Sequence, residues 1–188
     1  MDKLHGAVGR ATPGSGLRGA PRWPAAALGA VWLAAAAACA PSEASAPLAH
    51  TFASPERLAQ AVVDALARSD RTMLTSLALS EAEFRTYVWP HLPASRPERG
   101  VPVEFAWGQM HGRSQASLAA MLARHAGRRL EVTGVRFLGE TTDYGAITVS
   151  RKAEVRVRNA GGRERRLRLF GSVVRRSGRY KLFSYVVD

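Results

Sequence analysis

The segment YGAITVSRKAEVRVRN, residues 144–159, decides the fold. Ile147, Val149, Ala153, Val155 and Val157 occupy alternate positions, the period of a β-strand with one apolar face, while Lys152, Glu154, Arg156 and Arg158 fill the opposite parity. The same alternation runs through RRLEVTGVRFLGE (128–140), RERRLRLFGSVVRR (163–176) and GRYKLFSYVVD (178–188). Turn-forming residues at 141–143, 160–162 and 177–178 separate these runs, which predicts a curved antiparallel meander of about four strands.

Upstream of residue 128 the period is helical. In SPERLAQAVVDALARSD (54–70), Ser54 suits an N-cap, Pro55 the first helical position and Glu56 the first turn. Leu58, Ala61, Val62, Ala65 and Leu66 then share one face. Asp70 can cap a short helix carrying Met73, Leu74 and Leu77, and Ser80 with Glu83 has capping-box spacing ahead of Phe84, Tyr87 and Val88. Pro90, Pro93 and Pro97 break that pattern, and the stretch GVPVEFAWG (100–108) reads as irregular. Residues 114–125 form a further expected helix, with Leu118, Met121, Leu122 and His125 on one face and Gly127 at its C-cap.

Helices followed by a sheet make an α+β fold, in which the helices must cover the sheet's apolar face. This order, over residues 54–188, resembles the nuclear transport factor 2-like and cystatin-like folds, and the resemblance rests on element order, not on a motif. It implies a cone whose sheet wraps around a helix, often leaving a pocket. Ketosteroid-isomerase-like enzymes of that fold use an Asp base with an oxyanion hole of Tyr and protonated Asp. Here Glu131, Glu140, Asp143, Glu154, Glu164 and Asp188 fall mostly in turns or at outward positions, which leaves that chemistry without a home.

The single cysteine, Cys39, stands where an uncharged run turns into a linker, in ALGAVWLAAAAACAPSEASAP (27–47). The apolar run 25–38 follows Arg18 and Arg22 and has the length of a secretory core, short of the roughly 20 residues a spanning helix needs. Ala36, Ala37 and Ala38 before Cys39 resemble the lipobox of bacterial lipoproteins, although Ala36 stands in the usual Leu position and the leader is long for the class. The resemblance implies a signal peptide at 1–38, diacylglycerol on the Cys39 thiol, a tether at 39–53 and one domain at 54–188. The competing reading is an ordinary signal peptide cut after Ala-x-Ala, with Cys39 incidental. A disulfide within the monomer is excluded.

A net charge of +12 points ordinarily to nucleic acid or an anionic surface. Part of it belongs to the leader, residues 40–125 are electrically balanced, and the excess lies in residues 126–188, with 15 basic against 6 acidic side chains. Apart from Lys3, Lys152 and Lys181 every Lys or Arg position is arginine, and with so much alanine the pattern fits the codon bias of a GC-rich genome as an alternative to selection for phosphate recognition.

Strand parity places Arg151 on the face that should be buried, so it needs a bulge, a pocket rim or a carboxylate, or else serves as an anion-binding group inside a pocket. Arg156, Arg158, Arg166 and Arg168 fall on the outward parity of neighbouring strands. They form either a solvated face that discourages edge pairing or a surface for anionic headgroups, cell-wall polymers or an acidic partner. Tyr87, Trp89, Trp107 and His111 cluster in the irregular centre, where large aromatics plug the open end of a core. The histidines show no metal-ligand spacing, and no serine lies in a nucleophile turn.

These readings describe an exported protein of the cell envelope, lipid-anchored and facing the periplasm or cell exterior, with a non-catalytic binding or scaffolding domain. A small-molecule-binding enzyme with a pocket between helices and sheet is the alternative, and a soluble secreted protein a third. No cofactor is expected. The expected partners are the membrane, through acylated Cys39, and an anionic envelope component or protein, with nucleic acid disfavoured by export and by the lack of interleaved exposed aromatics.

Overall fold

Helix α1 (Pro55–Ala67) starts where the sequence says it should: the Ser54 hydroxyl accepts a hydrogen bond from the Arg57 amide at 3.2 Å, and Pro55 holds the first turn. The computed structural model describes residues 48–185, so Cys39, the expected signal peptide at 1–38 and Asp188 lie outside the described residues. The buried stripe of α1 comprises Leu58, Ala59, Val62, Val63, Ala65 and Leu66. Asp70 caps α2 (Arg71–Leu77) through the Met73 amide at 2.9 Å. The Ser80–Glu83 capping box opens the one-turn α3 (Glu81–Glu83), which runs into a π-helical turn, Phe84–Val88. Short 3-10 turns at Trp89–His91, Pro93–Ser95 and Pro97–Arg99 follow, each with proline in its first two positions.

The next helix, α4 (Val103–His125), begins 11 residues earlier than the sequence pattern predicts. Gly108 and Gly112 lie inside it, and glycine lowers helix propensity by about 1 kcal/mol. Tertiary packing outweighs that cost: Val103, Ala106, Trp107 and Met110, spaced three or four apart, lie against a cluster centred on Phe84 and Val88.

Seven strands follow: β1 (Leu130–Phe137), β2 (Thr141–Asp143), β3 (Thr148–Arg151), β4 (Ala153–Asn159), β5 (Glu164–Leu167), β6 (Phe170–Arg176) and β7 (Arg179–Tyr185). They form two antiparallel sheets, of order β1-β4-β5 and β2-β3-β6-β7. The α+β class therefore stands, and the single meander of about four strands is corrected. Segment 144–159 divides at Lys152, whose φ of 55° takes the chain out of strand geometry, so that β3 pairs with β6 and β4 with β1. Residues 141–143, expected as a turn, pair with β3, and the turn falls instead between Tyr144 and Ile147.

Apolar side chains gather into two clusters, one reaching both sheets and the other on the opposite face of the β2-β3-β6-β7 sheet. In one, the α1 stripe packs on Ala153, Val155 and Val157 of β4 and on Phe170 and Val173 of β6. In the other, Leu79, Phe84 and Val88 pack on Ile147, Val149 and Val174. Val173 and Val174 fall in different clusters because successive strand side chains point to opposite faces. The segment read as the end of the tether is part of the fold: Leu48 is buried, and Phe52 exchanges backbone hydrogen bonds with Tyr180 at 2.9 and 2.8 Å.

Candidate functional site

An open, mainly apolar cavity of about 890 Å³ lies between α2, α3, the N-terminal half of α4 and β7. Phe84, buried behind it, sets the wall: its ring lies 5.5 Å from Trp107, 5.9 Å from Trp89 and 6.3 Å from Phe183. Trp107 and His111, one helical turn apart on α4, stack with centroids 4.9 Å apart, and both rings line the cavity with Met110, Tyr87 and Phe183. The π-helical turn inserts one residue into the helical ladder and directs Thr86 and Tyr87 to the cavity while Phe84 and Val88 stay buried. Three of the four central aromatics, expected as a plug, thus border an open cavity. Trp89 packs behind it.

The polar floor is Lys181, 1% exposed, on β7. Its ammonium donates to the Ala49 carbonyl at 2.6 Å and the Ser76 carbonyl at 3.1 Å, and lies 3.4 Å from Glu83 Oε1. Glu83 in turn accepts from the Ala49 amide through Oε1 and the Ser80 amide through Oε2, each at 2.8 Å. Burial pulls the Lys181 pKa below its usual range, and the Glu83 carboxylate opposes that shift. With acceptors on three sides, Lys181 is a clasp joining β7, α2 and the chain entering the domain. Sequence reading missed this pair. Its signal was present, since Lys181 shares strand parity with Phe183 and so points to an apolar side.

Ser114 and Tyr185 close the inner end. The buried Ser114 hydroxyl accepts from the Tyr185 amide at 3.0 Å, and the Tyr185 hydroxyl donates to the Leu74 carbonyl. Burial pushes the Tyr185 phenol well above its ordinary pKa.

Arg151 lies apart from this cavity, on the rim of a second one of about 520 Å³ with Lys152 and Arg168. It is half-buried, donating to Thr142 Oγ1 at 2.7 Å and the Tyr144 hydroxyl at 3.0 Å, with Glu140 Oε2 at 3.8 Å. Arg156, Arg158, Arg166 and Arg168 are all exposed, and Arg156 faces Arg166 across β4 and β5. The face is less cationic than the sequence implies, because Glu154 sits 2.7 Å from Arg136 and 3.8 Å from Arg166, and Arg158 lies 3.0 Å from Glu164 and 3.7 Å from Glu131.

Among the described residues no group of three His, Cys, Asp or Glu side chains is placed to hold a metal ion, and no helix is long and apolar enough to cross a membrane. No protein family, curated protein or solved structure matches the chain.

Proposed function

We propose that the chain is an envelope lipoprotein, anchored through acylated Cys39, whose nuclear transport factor 2-like domain is a non-catalytic carrier of an apolar small molecule. The observation that supports it is the cavity of about 890 Å³, which falls within the roughly 300–1,000 Å³ typical of small-molecule sites. Apolar walls with a stacked Trp107–His111 pair suit a ligand with a flat ring or an aliphatic body, gaining roughly 25 cal/mol per Å² of apolar surface removed from water. The occupied donors of Lys181 favour binding over covalent chemistry.

Intact-mass spectrometry of the full chain from membranes should give a mature species beginning at Cys39 with added acyl chains. Organic extracts of the same preparation should contain a small molecule that is depleted in the Ala82→Trp variant, since Ala82 is an exposed lining position from which an indole would obstruct the cavity. A mass without acyl chains refutes the anchor. Extracts empty in both forms, with no response of Trp107 fluorescence to the neutral probe N-phenyl-1-naphthylamine, refute the carrier.

A further inference from the structure

At the far end of α4, away from the large cavity, a recess of about 200 Å³ opens between the helix C-terminus and the inner face of the β1-β4-β5 sheet. Its floor is apolar, formed by Leu130, Val157 and Leu167. Its walls carry His125, Arg128, Arg163 and Arg165, and no Asp or Glu lines it. Arg165 stands opposite Val157 on the inner face, while its neighbours Glu164 and Arg166 face outward. Arg163 is fixed by the β4–β5 turn, where its amide donates to Asn159 Oδ1 at 2.9 Å.

Ion pairing is denser on the outer face of this sheet than around the recess, although Arg156 on the outer face also has no ion pair among the described residues. On the outer face Arg136, Arg158 and Arg166 each have a carboxylate within 4 Å. Around the recess Arg128 in the loop after α4, Arg163 in the β4–β5 turn and Arg165 on the inner side of β5 are exposed and have no ion pair among the described residues. The C-terminus of α4 contributes only about half a negative charge. Guanidiniums that border one recess without counter-charges repel one another, and a bound oxyanion relieves that repulsion while accepting N–H donors in forked geometry. The partly buried His125 adds a ring donor when protonated.

We propose that this recess is an anion site for a phosphoryl group, held by Arg128, Arg163 and Arg165 with His125 alongside. The volume fits a phosphate or a phosphorylated headgroup rather than a drug-sized ligand. The group comes either from a soluble phosphate ester or from the headgroup of an anionic phospholipid, and both present the same oxygens.

The test uses the full chain in phosphatidylcholine nanodiscs, titrated calorimetrically with inorganic phosphate and glycerol 3-phosphate, and separately mixed with phosphatidylglycerol vesicles. One equivalent of a phosphate ligand should bind, and Arg163→Gln/Arg165→Gln should weaken binding by at least about tenfold. Arg156→Gln/Arg166→Gln removes equal charge from the outer face and should change affinity less than about twofold. Melting curves of both variants establish that each is folded, and Arg165→Lys provides a second, milder probe. Vesicle binding that phosphate displaces assigns the site to a lipid headgroup, whereas phosphate binding without vesicle binding assigns it to a soluble ester. No binding of either phosphate ligand, or equal loss in both double variants, overturns the site. Vesicle binding indifferent to phosphate and to Arg163→Gln/Arg165→Gln also overturns it.

Discussion

Lys181 Nζ and Glu83 Oε1 are 3.4 Å apart, joining the middle of the last strand to the first turn of a one-turn helix across nearly a hundred residues of chain. Glu83 therefore acts twice, closing the capping box with Ser80 and balancing a buried ammonium. Removing one member of a buried pair strands the other, at about 3 kcal/mol or more. Glu83→Gln should lower stability in urea by about that amount, and Glu83→Gln/Lys181→Met should recover part of it, because the stranded charge is gone. Strict additivity in the cycle would show that the two side chains are not coupled.

Leu66 and Val155 meet in the cluster between α1 and β4, at 1% and 0% exposure. Truncating either to alanine should cost on the order of 2 to 4 kcal/mol. Thermal melts in EDTA check this and also test the expectation that no metal contributes. Near-neutral substitutions would mean that these side chains do not carry the core.

Much of this architecture is legible in the sequence because local chemistry and tertiary structure agree there. Ser54, Asp70 and Ser80 cap the helices predicted for them, and Val155 and Val157 are buried as their parity requires. The extent of α4 is not legible, since its first half is held by Phe84 and its neighbours and carries two glycines. Nor is the division into two sheets, because a left-handed residue at Lys152 leaves the alternation of apolar positions unchanged on either side. The cavity is a property of how α2, α3 and α4 stand around β7, which no local pattern encodes. Its polar floor was half legible: Glu83 appears in the sequence as a cap, and only the fold brings it to Lys181.

Lys152 offers a direct probe of the sheet division. At φ 55° a side chain is strained, by about 1 kcal/mol or more, and the penalty is steeper for a β-branched residue. Lys152→Gly should be close to neutral, the relief of strain offsetting the greater freedom of the unfolded chain. Lys152→Val should cost about 1 to 2 kcal/mol by the same steric argument. The comparison is read from urea midpoints, and a valine variant as stable as the glycine variant would remove the turn from the account.

His125 ties the stability of the domain to mildly acidic pH. Burial holds its pKa below the ordinary histidine value of 6.5, and Arg128 and Arg124 push it in the same direction. Arg163 and Arg165 border the same recess from the β4–β5 turn and β5. The unfolded chain therefore takes up the His125 proton first as pH falls, so protonation favours unfolding. The resulting loss of stability begins near the unfolded value of 6.5, grows until pH reaches the folded pKa and is complete below it; above 6.5 the contribution vanishes. Wild type should thus lose stability relative to His125→Gln as pH falls through this window. Phosphate should shrink that difference, because an anion beside the ring stabilises its protonated form and raises its pKa. Chemical denaturation of both proteins across the window, with and without phosphate, measures the effect. Parallel pH profiles for wild type and variant would show that His125 does not titrate differently on folding, and a difference indifferent to phosphate would place the anion away from this ring.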